Sequence, residues 1–369
     1  MIDIKLLNKK LLIEFINHSN YNTLDIVPIT EHRALSQIQN PRLHENDILL
    51  LLAYKEKELV GYLGVLPDKI NFNNKFEKCG WLSCLWVKPE QRGFQIAKLL
   101  LDKCFEVWEN RILATEFTKN AKKLYDKTNF FSDLKIIYGI RLYIRSDLHT
   151  LLPPKKRLYK KLIFFLKTAD ALINFLFDLR FFFWKFKIYN ATIEYMNLLD
   201  NEVEEFISVK LRHQLFKRGI TELNWIINNP WILATPDKDI KNNKYYFSSY
   251  DKSFNFYALK IRNSNKQLIA FMIFSKRNQI LKLPYCYYED GSLKTVVDVI
   301  YYHLLKWKIN TFTTFNPDIT LFLRNNRTPA LFKRDIKRHY IISDVFRKII
   351  FQDAFEFEIQ DGDADCSFT

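Results

Sequence analysis

One stretch of the sequence, residues 81–101 (WLSCLWVKPEQRGFQIAKLLL), has the residue types needed to bind phosphate groups. Its first part is apolar and of strand length, Pro89 ends the strand, and a helical spacing of apolar residues begins within three residues of Gly93. The first turn of a helix has unpaired backbone N–H groups and the positive end of the helix dipole, which together bind anions. Gly93 would let the backbone approach a phosphate closely, and Ala97 would leave the helix start unobstructed. The stretch therefore predicts a pyrophosphate site.

The same residues resemble the central motif of the GNAT superfamily of acyl-CoA N-acyltransferases, which is Q/R-x-x-G-x-G/A after a strand. Arg92 and Ala97 fit this motif, and Gln95 stands where the family usually has glycine. The resemblance implies acetyl-CoA as co-substrate, with the strand backbone at residues 85–87 holding pantetheine and polarising the thioester carbonyl. The implied CoA-binding residues are Leu85, Trp86, Val87, Arg92, Gly93, Phe94, Gln95, Ile96, Ala97 and Thr118.

A second match lies downstream, in residues 118–130 (TKNAKKLYDKTNF), which resemble the family pattern N-x-x-A-x-x-L-Y-x-K-x-G-F. Thr118 replaces the usual Asn, and Asn129 replaces Gly. By this resemblance Tyr125 is the general acid that protonates the departing CoA thiolate. A tyrosine pKa of about 10 suits donation to a thiolate whose own pKa is about 8.5. The alternative is that Tyr125 is a core tyrosine with a satisfied hydroxyl.

The attacking amine must lose a proton, so the reaction also needs a base or a water chain. Family members often use a carboxylate on the central strands, and the candidates are Glu116, which ends the strand before the Tyr125 helix, and Glu77, which precedes the central strand. No motif fixes either position. Both residues can equally be surface or capping carboxylates.

Around these motifs, apolar periodicity predicts strands that alternate with helices in residues 1–145. The predicted fold class is α+β, with a mixed and mainly antiparallel sheet flanked by helices. The second half repeats the order meander, helix, strand, helix without residue identity, and it has no phosphate loop, which indicates a degenerate second copy. The sequence therefore divides into a GNAT domain (1–150), a basic helical connector (151–192) and a degenerate GNAT-like domain (193–369).

The connector and the acidic end each allow two interpretations. Residues 153–190 carry nine basic side chains against two acidic ones, together with many Phe and Leu. Such helices either pack on a domain or lie on an anionic membrane surface at its inner face, and charges within residues 162–184 argue against a spanning helix. The acidic residues of 353–365 predict a solvated end or a cover for a basic cleft.

Composition limits the remaining classes of protein. The chain has 369 residues, a net charge of +15 and 48% hydrophobic residues, which excludes intrinsic disorder. No helix-turn-helix, zinc-finger or RNP pattern is present, so charge alone is a weak argument for nucleic-acid binding. Five cysteines without a C-x-x-C pair and seven histidines without ligand spacing argue against a disulfide framework and a metal site. No signal peptide is recognised, which predicts a cytoplasmic enzyme.

Together these features predict an N-acyltransferase that moves an acetyl group from acetyl-CoA to a small-molecule amine. By analogy, the amine is an amino sugar of surface-polysaccharide synthesis. The alternative, suggested by Gln95 and Thr118, is a non-catalytic GNAT-fold binding module held at an anionic membrane by residues 153–190.

Overall fold

The structure is a computed structural model that describes residues 1–72, 75–182, 191–236, 243–351 and 356–368. It divides into two compact units: unit 1 is Met1–Ile137, Leu198–Phe254 and Arg338–Thr369, and unit 2 is Tyr138–Asn197 and Asn255–Lys337. These units interleave along the chain, whereas the division predicted from the sequence is contiguous. The functional division into 1–150, 151–192 and 193–369 stays a prediction.

The helices and strands of the described residues follow one another in this chain order: β1 (Ile2–Leu7), α1 (Lys9–Asn17), α2 (Glu31–Ile38), β2 (Leu50–Lys55), β3 (Glu58–Phe72), β4 (Lys75–Val87), α3 (Ile96–Val107), β5 (Ile112–Ala114), α4 (Lys119–Thr128), β6 (Phe131–Tyr143), α5 (Leu148–Leu151), α6 (Arg157–Lys161), α7 (Ile163–Phe182), β7 (Ala191–Met196), α8 (Asn201–Ser208), α9 (Ile220–Asn228), β8 (Leu233–Ala234), β9 (Tyr250–Asp251), β10 (Phe254–Asn263), β11 (Leu268–Arg277), β12 (Ile280–Tyr288), α10 (Leu293–Lys306), β13 (Thr311–Thr314), α11 (Pro317–Asn325), β14 (Phe332–Ser343) and α12 (Asp344–Phe351).

The sheet of unit 1 has the order β1-β2-β3-β4-β5-β14, in which β4 and β5 are parallel and the other pairs are antiparallel. Helix α3 covers one face, where Leu100, Cys104 and Phe105 pack with Leu63 and Val65 of β3. Helices α1 and α2 contribute to a second core cluster. Strand β3 is buried along most of its length and β4 in its middle, in keeping with their apolar runs.

The sheet of unit 2 has the order β6-β13-β12-β11-β10-β7, and its core includes Phe274, Phe312 and residues of α10. Its meander β10-β11-β12 is followed by α10, by β13 parallel to β12, and by α11. Unit 1 has the same succession in β2-β3-β4, α3, β5 and α4. The mixed, mainly antiparallel α+β fold predicted from the sequence is confirmed, and so is the repeated order of elements.

The sheet of each unit is completed by a strand from a distant part of the sequence. In unit 1, Ile341 and Ile342 of β14 pair with Ala114 and Leu113 of β5. In unit 2, the end of β6 pairs antiparallel with β13. The strand that follows α4 therefore does not pair with β5, and residues beyond 338 are structural parts of unit 1.

The acidic end of the chain is not a solvated tail. Residues 356–368 are described, and Asp361 and Asp363 are 6% and 1% exposed. Arg338 Nη1 lies 2.6 Å from Asp361 Oδ1, and Arg218 Nε lies 3.0 Å from Asp363 Oδ1. The prediction of a solvated end is therefore wrong, because two buried guanidinium groups neutralise these carboxylates. The alternative interpretation was that the acidic residues of 353–365 cover a basic cleft.

Two predicted elements differ near this segment. Apolar spacing predicts a helix over residues 202–217, but α8 ends at Ser208, because the following chain turns and pairs Gln214 with Glu358. The sequence also predicts a closing strand over residues 352–359; residues 352–355 lie outside the described residues, and the described part forms only that isolated bridge.

The connector is helical in α5, α6 and α7, and residues 183–190 lie outside the described residues. Two acidic residues of α7 are paired. Asp170 accepts hydrogen bonds from Ser146 Oγ and the backbone N–H of His149, and Asp178 pairs with Arg145. In the part of the chain that is described, every helix is too short or too polar to cross a membrane.

Candidate active site

The start of α3 borders a cavity of about 550 Å³, which we call the α3 cavity. Gly93 and Gln95 have φ of +95° and +59°, so the chain turns sharply into the helix through left-handed conformations. The first helical hydrogen bond runs from Leu99 N to Gln95 O at 3.0 Å, so the N–H groups of residues 96–98 precede the ladder. Ile96 and Ala97 line the cavity. An anion here would meet free N–H groups and the positive helix end.

Three basic side chains also line the α3 cavity: Arg92, Lys98 and Lys127. Arg92 Nε donates to Val87 O at 3.3 Å, which places its side chain beside the end of β4. None of the described residues that line this cavity is acidic. The cavity therefore has the charge needed for a polyphosphate ligand.

A second cavity, which we call the central pocket, has a volume of about 290 Å³ and lies further back along β4. The pairing of β3 with β4 shifts between Tyr62 and Gly64, so Cys84 and Leu85 oppose a single residue, and Cys84 has a φ of +60°. Such a bulge leaves part of the strand backbone unpaired. Cys84 and Leu85 line the central pocket, so this unpaired backbone lies beside it.

Tyr125 of α4 also lines the central pocket and is 5% exposed. Its ring makes an edge contact with Phe117 at 5.8 Å between centroids. Burial raises the pKa of its hydroxyl above the usual value, so the group stays protonated through the neutral range. Within the described residues, no hydrogen bond leads from this hydroxyl to another group, which differs from the alternative of a satisfied core tyrosine.

Both cavities lie between the same two elements. Leu85 and Ala121 line the central pocket, while Val87 and Leu124 line the α3 cavity. Residues two apart on a strand face the same way, as do residues three or four apart on a helix. Strand β4 and helix α4 therefore place the α3 cavity and Tyr125 along one line.

Comparison with known protein families assigns the part of the chain that contains β4 and α4. Residues 16–130 match the Acetyltransferase (GNAT) family. This segment is a GNAT domain. It contains β4, the bulge, the turn into α3 and the Tyr125 helix. Because GNAT proteins transfer acyl groups, the acyltransferase class predicted from the sequence is confirmed. No curated protein matches the chain.

Solved structures agree on the fold. A GCN5-related N-acetyltransferase from Anabaena variabilis covers 92% of this chain and 72% of its own, with 12% identity and a TM-score of 0.51. A probable N-acyltransferase from Enterococcus faecalis covers 94% and 74%, with 10% identity and a TM-score of 0.54. The Saccharomyces cerevisiae N-myristoyltransferase with bound myristoyl-CoA covers 93% and 79%, with 11% identity and a TM-score of 0.50. At these identities the likeness concerns the fold.

Most of the predicted site residues of the GNAT domain line one of the two cavities. Leu85, Glu116, Thr118 and Tyr125 line the central pocket; Val87, Arg92, Gly93, Gln95, Ile96 and Ala97 line the α3 cavity. Thr118 Oγ1 accepts from Ala121 N at 3.2 Å, so it also caps α4 in place of the family's Asn. Gln95 adopts, at some backbone strain, the left-handed conformation that a glycine would adopt freely.

Three predicted site residues lie outside both cavities. Trp86 is 5% exposed and stacks on Tyr62 at 5.3 Å, because it points to the opposite face of β4 from Leu85 and Val87. Phe94 is 66% exposed beside the turn. Glu77 is in an ion pair with Arg111 at 2.9 Å, near the start of β4. The structure therefore does not bring Glu77 to Tyr125.

Several residues of the central pocket had no sequence signal. They are Arg33, Ser83, Trp231, Phe247, Asp365 and Phe368, which come from five separate parts of the chain. Arg33 is 3% exposed, and its guanidinium lies 3.7 Å from the centre of the Trp231 ring. For Asp365 the sequence offers one signal: acidic residues stand at every second position, 361, 363 and 365, and would share one face of an extended segment.

Unit 2 contains a separate group of titratable residues. Ligand atoms of Asp147, His149 and Asp170 lie within 4.8 Å of one another. Asp170 already accepts hydrogen bonds from Ser146 Oγ and the backbone N–H groups of Leu148 and His149. These contacts lower the pKa of Asp170 and explain the group as a junction that holds α5 on α7.

Proposed function

We propose that the chain is an N-acetyltransferase that moves an acetyl group from acetyl-CoA to a small-molecule amine. The observation that carries the proposal is the turn of β4 into α3, where free N–H groups, Arg92, Lys98 and Lys127 surround a cavity without acidic residues. A pyrophosphate bound there would extend pantetheine along β4 toward the bulge. Leu85, Val87 and residues 92–97 are the proposed CoA-binding set.

The central pocket is where the chemistry is proposed to occur. The unpaired backbone at the bulge would polarise the thioester carbonyl, and Tyr125 would protonate the CoA thiolate. A volume of about 290 Å³ must hold both the acyl group and the acceptor amine, which favours a short acyl chain. The aromatic walls formed by Phe117, Trp231 and Phe247 suit the C–H face of an amino sugar, which is the proposed acceptor class.

Calorimetry with acetyl-CoA tests the proposal most directly. We expect saturable binding of one acetyl-CoA per chain, with an affinity that falls as salt is added, because phosphate–cation contacts are screened by ions. Binding by desulfo-CoA at similar affinity would assign the contact to the phosphates and pantetheine. An absence of binding at millimolar acetyl-CoA would contradict the proposal.

We also propose a peripheral membrane contact, because α7 has an apolar face open to solvent. Apart from Ile163 at the start of this helix, its described large apolar side chains that are exposed are Phe164, Phe165, Leu172, Phe175, Leu176 and Leu179. At 100° per residue they occupy an arc of about 120°. The exposed basic residues Lys155, Lys156, Arg157, Lys160 and Lys161 lie just before it. This pattern is that of an interfacial helix on anionic lipid.

Replacing Leu172 and Phe175 with glutamate tests that contact. We expect the unmodified chain to co-sediment with vesicles of phosphatidylserine and phosphatidylcholine, less so at high salt, and the double variant to lose at least about tenfold in binding, because two charges would have to enter the lipid interface. Leu321→Glu is the matched control, since Leu321 is 55% exposed on α11. Equal sedimentation of all three proteins would contradict the membrane contact. Binding of vesicles without any turnover of acetyl-CoA would favour the non-catalytic module.

A further inference from the structure

The end of the chain forms one wall of the central pocket. Asp365 and Phe368 line this pocket beside Ser83, Cys84 and Tyr125. We call residues 357–368 the C-terminal segment. Its acidic residues are spaced so that Asp361 and Asp363 bind structural arginines while Asp365, two residues later, lies in the pocket.

The C-terminal segment is held on both sides of Asp365. Before it, Asp361 and Asp363 pair with Arg338 and Arg218, whose side chains are 5% and 4% exposed. After it, the Phe368 ring stacks on Trp231, with centroids 4.4 Å apart and an interplanar angle of 11°. A carboxylate fixed in this way loses little further conformational entropy when a ligand binds.

The contacts of Asp365 differ from those of the other candidate carboxylates. Its Oδ2 accepts a hydrogen bond from Ser83 Oγ at 2.8 Å, and Ser83 Oγ accepts one from Arg33 Nη2 at 2.6 Å. Apart from Ser83 Oγ and the backbone N–H of Asp365 itself, no described residue forms a hydrogen bond or ion pair with the Asp365 carboxylate. Glu116, by contrast, lies 2.8 Å from Arg338 Nη2, an ion pair that weakens a carboxylate as a base.

We propose that the C-terminal segment completes the acceptor site and that Asp365 takes the proton that the amine loses during acyl transfer. The inference rests on the proposed function and assigns the base that its mechanism requires. The acceptor it implies is a compact primary amine, whose ammonium form an anionic carboxylate attracts and whose apolar part meets Trp231 and Phe368.

The proposed step balances in atoms and charge. The neutral amine nitrogen attacks the thioester carbonyl carbon, an N–C bond forms, and the C–S bond breaks. The nitrogen's proton moves to the Asp365 carboxylate, and the CoA sulfur receives a proton from Tyr125. The products are an amide and CoA thiol, and exchange with solvent returns the two side chains to their starting protonation states.

The surroundings of Asp365 support this assignment. Burial raises the pKa of its carboxyl, which makes it a better proton acceptor near neutral pH than an exposed aspartate. The ionisable groups nearby are Arg33, Cys84, Glu116, Tyr125 and Cys366. Arg33 and the hydroxyl of Ser83 favour the ionised form, and Glu116 opposes it.

The test uses the full chain with Asp365→Asn and Asp365→Glu. CoA release is followed with acetyl-CoA and four amines (glucosamine, a UDP-linked amino sugar, lysine and spermidine), or with water as the acceptor. We expect Asp365→Asn to reduce kcat/KM by about 10²–10⁴-fold at neutral pH, with the deficit shrinking at high pH, where hydroxide from the solvent takes the nitrogen's proton instead. Asp365→Glu should retain part of the rate. Binding of acetyl-CoA should not change.

Glu358→Gln is the matched control, because Glu358 is an exposed residue of the same segment that bonds Gln214. It removes the same charge outside the pocket and should keep the normal rate. An Asp365→Asn rate within about threefold of normal would overturn the proposal, as would a lower rate with an unchanged pH profile, which indicates a structural role. A chain that binds no acetyl-CoA contradicts the proposed function itself, and one that binds it without turnover under any condition contradicts both.

Discussion

An aspartate in place of Ala97 is expected to weaken acetyl-CoA binding by at least about tenfold. Ala97 lies in the first turn of α3 and lines the α3 cavity. A carboxylate there would face the pyrophosphate, and two like charges about 4 Å apart repel by roughly 1–4 kcal/mol in a partly solvated site. Since 1.4 kcal/mol is a factor of about ten, calorimetry resolves the effect.

The control for this substitution is Ala97→Asn, which has nearly the same shape without the charge. We expect the asparagine variant to bind within about threefold of the unmodified chain. The aspartate variant should unfold at the same temperature or slightly higher, because a negative charge stabilises the first turn of a helix by about 0.3–1 kcal/mol. Equal affinity of the two variants would mean that the phosphates bind elsewhere.

Tyr125→Phe is expected to lower kcat by about 10²–10³-fold while leaving the affinity for acetyl-CoA unchanged. The substitution removes only the hydroxyl that lines the central pocket. Because burial raises the pKa of Tyr125, the phenol remains protonated from pH 7 to 10, and the unmodified enzyme should show no loss of this acid in that range. The buried thiolate is also destabilised, so it accepts the proton readily.

Stopped-flow measurement of CoA release between pH 7 and 10 checks this expectation. The ring of the variant keeps the contact with Phe117, so its thermal unfolding should match that of the unmodified chain. A rate unaffected by the substitution across the whole pH range would show that Tyr125 is not the acid and would leave water as the proton donor.

Local patterns in the sequence were sufficient to predict the turn from β4 into α3. Each part of residues 75–107 has its own local signal. Apolar alternation marks β4, and the missing N–H of Pro89 ends it. Gly93 supplies a flexible residue for the turn, and helical spacing of apolar residues marks α3. The family resemblance then indicated Tyr125, which the structure places in the wall of the central pocket. The left-handed conformation of Gln95 shows that the backbone keeps this turn even without the usual glycine.

The wall of the central pocket that the C-terminal segment forms could not be predicted in the same way. Asp365 meets Ser83, and Asp363 meets Arg218, through contacts between residues far apart in the sequence. An acidic stretch is usually solvated, and only the fold reveals the buried arginines that make its burial favourable. Glu77 shows the same limit: the sequence offered it as a base or as a surface carboxylate, and its ion pair with Arg111 could not be read from the sequence.

The burial of the C-terminal segment also affects how the protein can be made. Ser83 and Asp365 are 282 residues apart in the sequence. At a synthesis rate of about 5–20 residues per second, Asp365 is added roughly 15 to 55 seconds after Ser83. Until β14 has been made, β5 lacks its partner strand, and until Asp363 has been made, Arg218 lacks its partner carboxylate. Unit 1 therefore has an open sheet edge and an incomplete pocket for part of its synthesis.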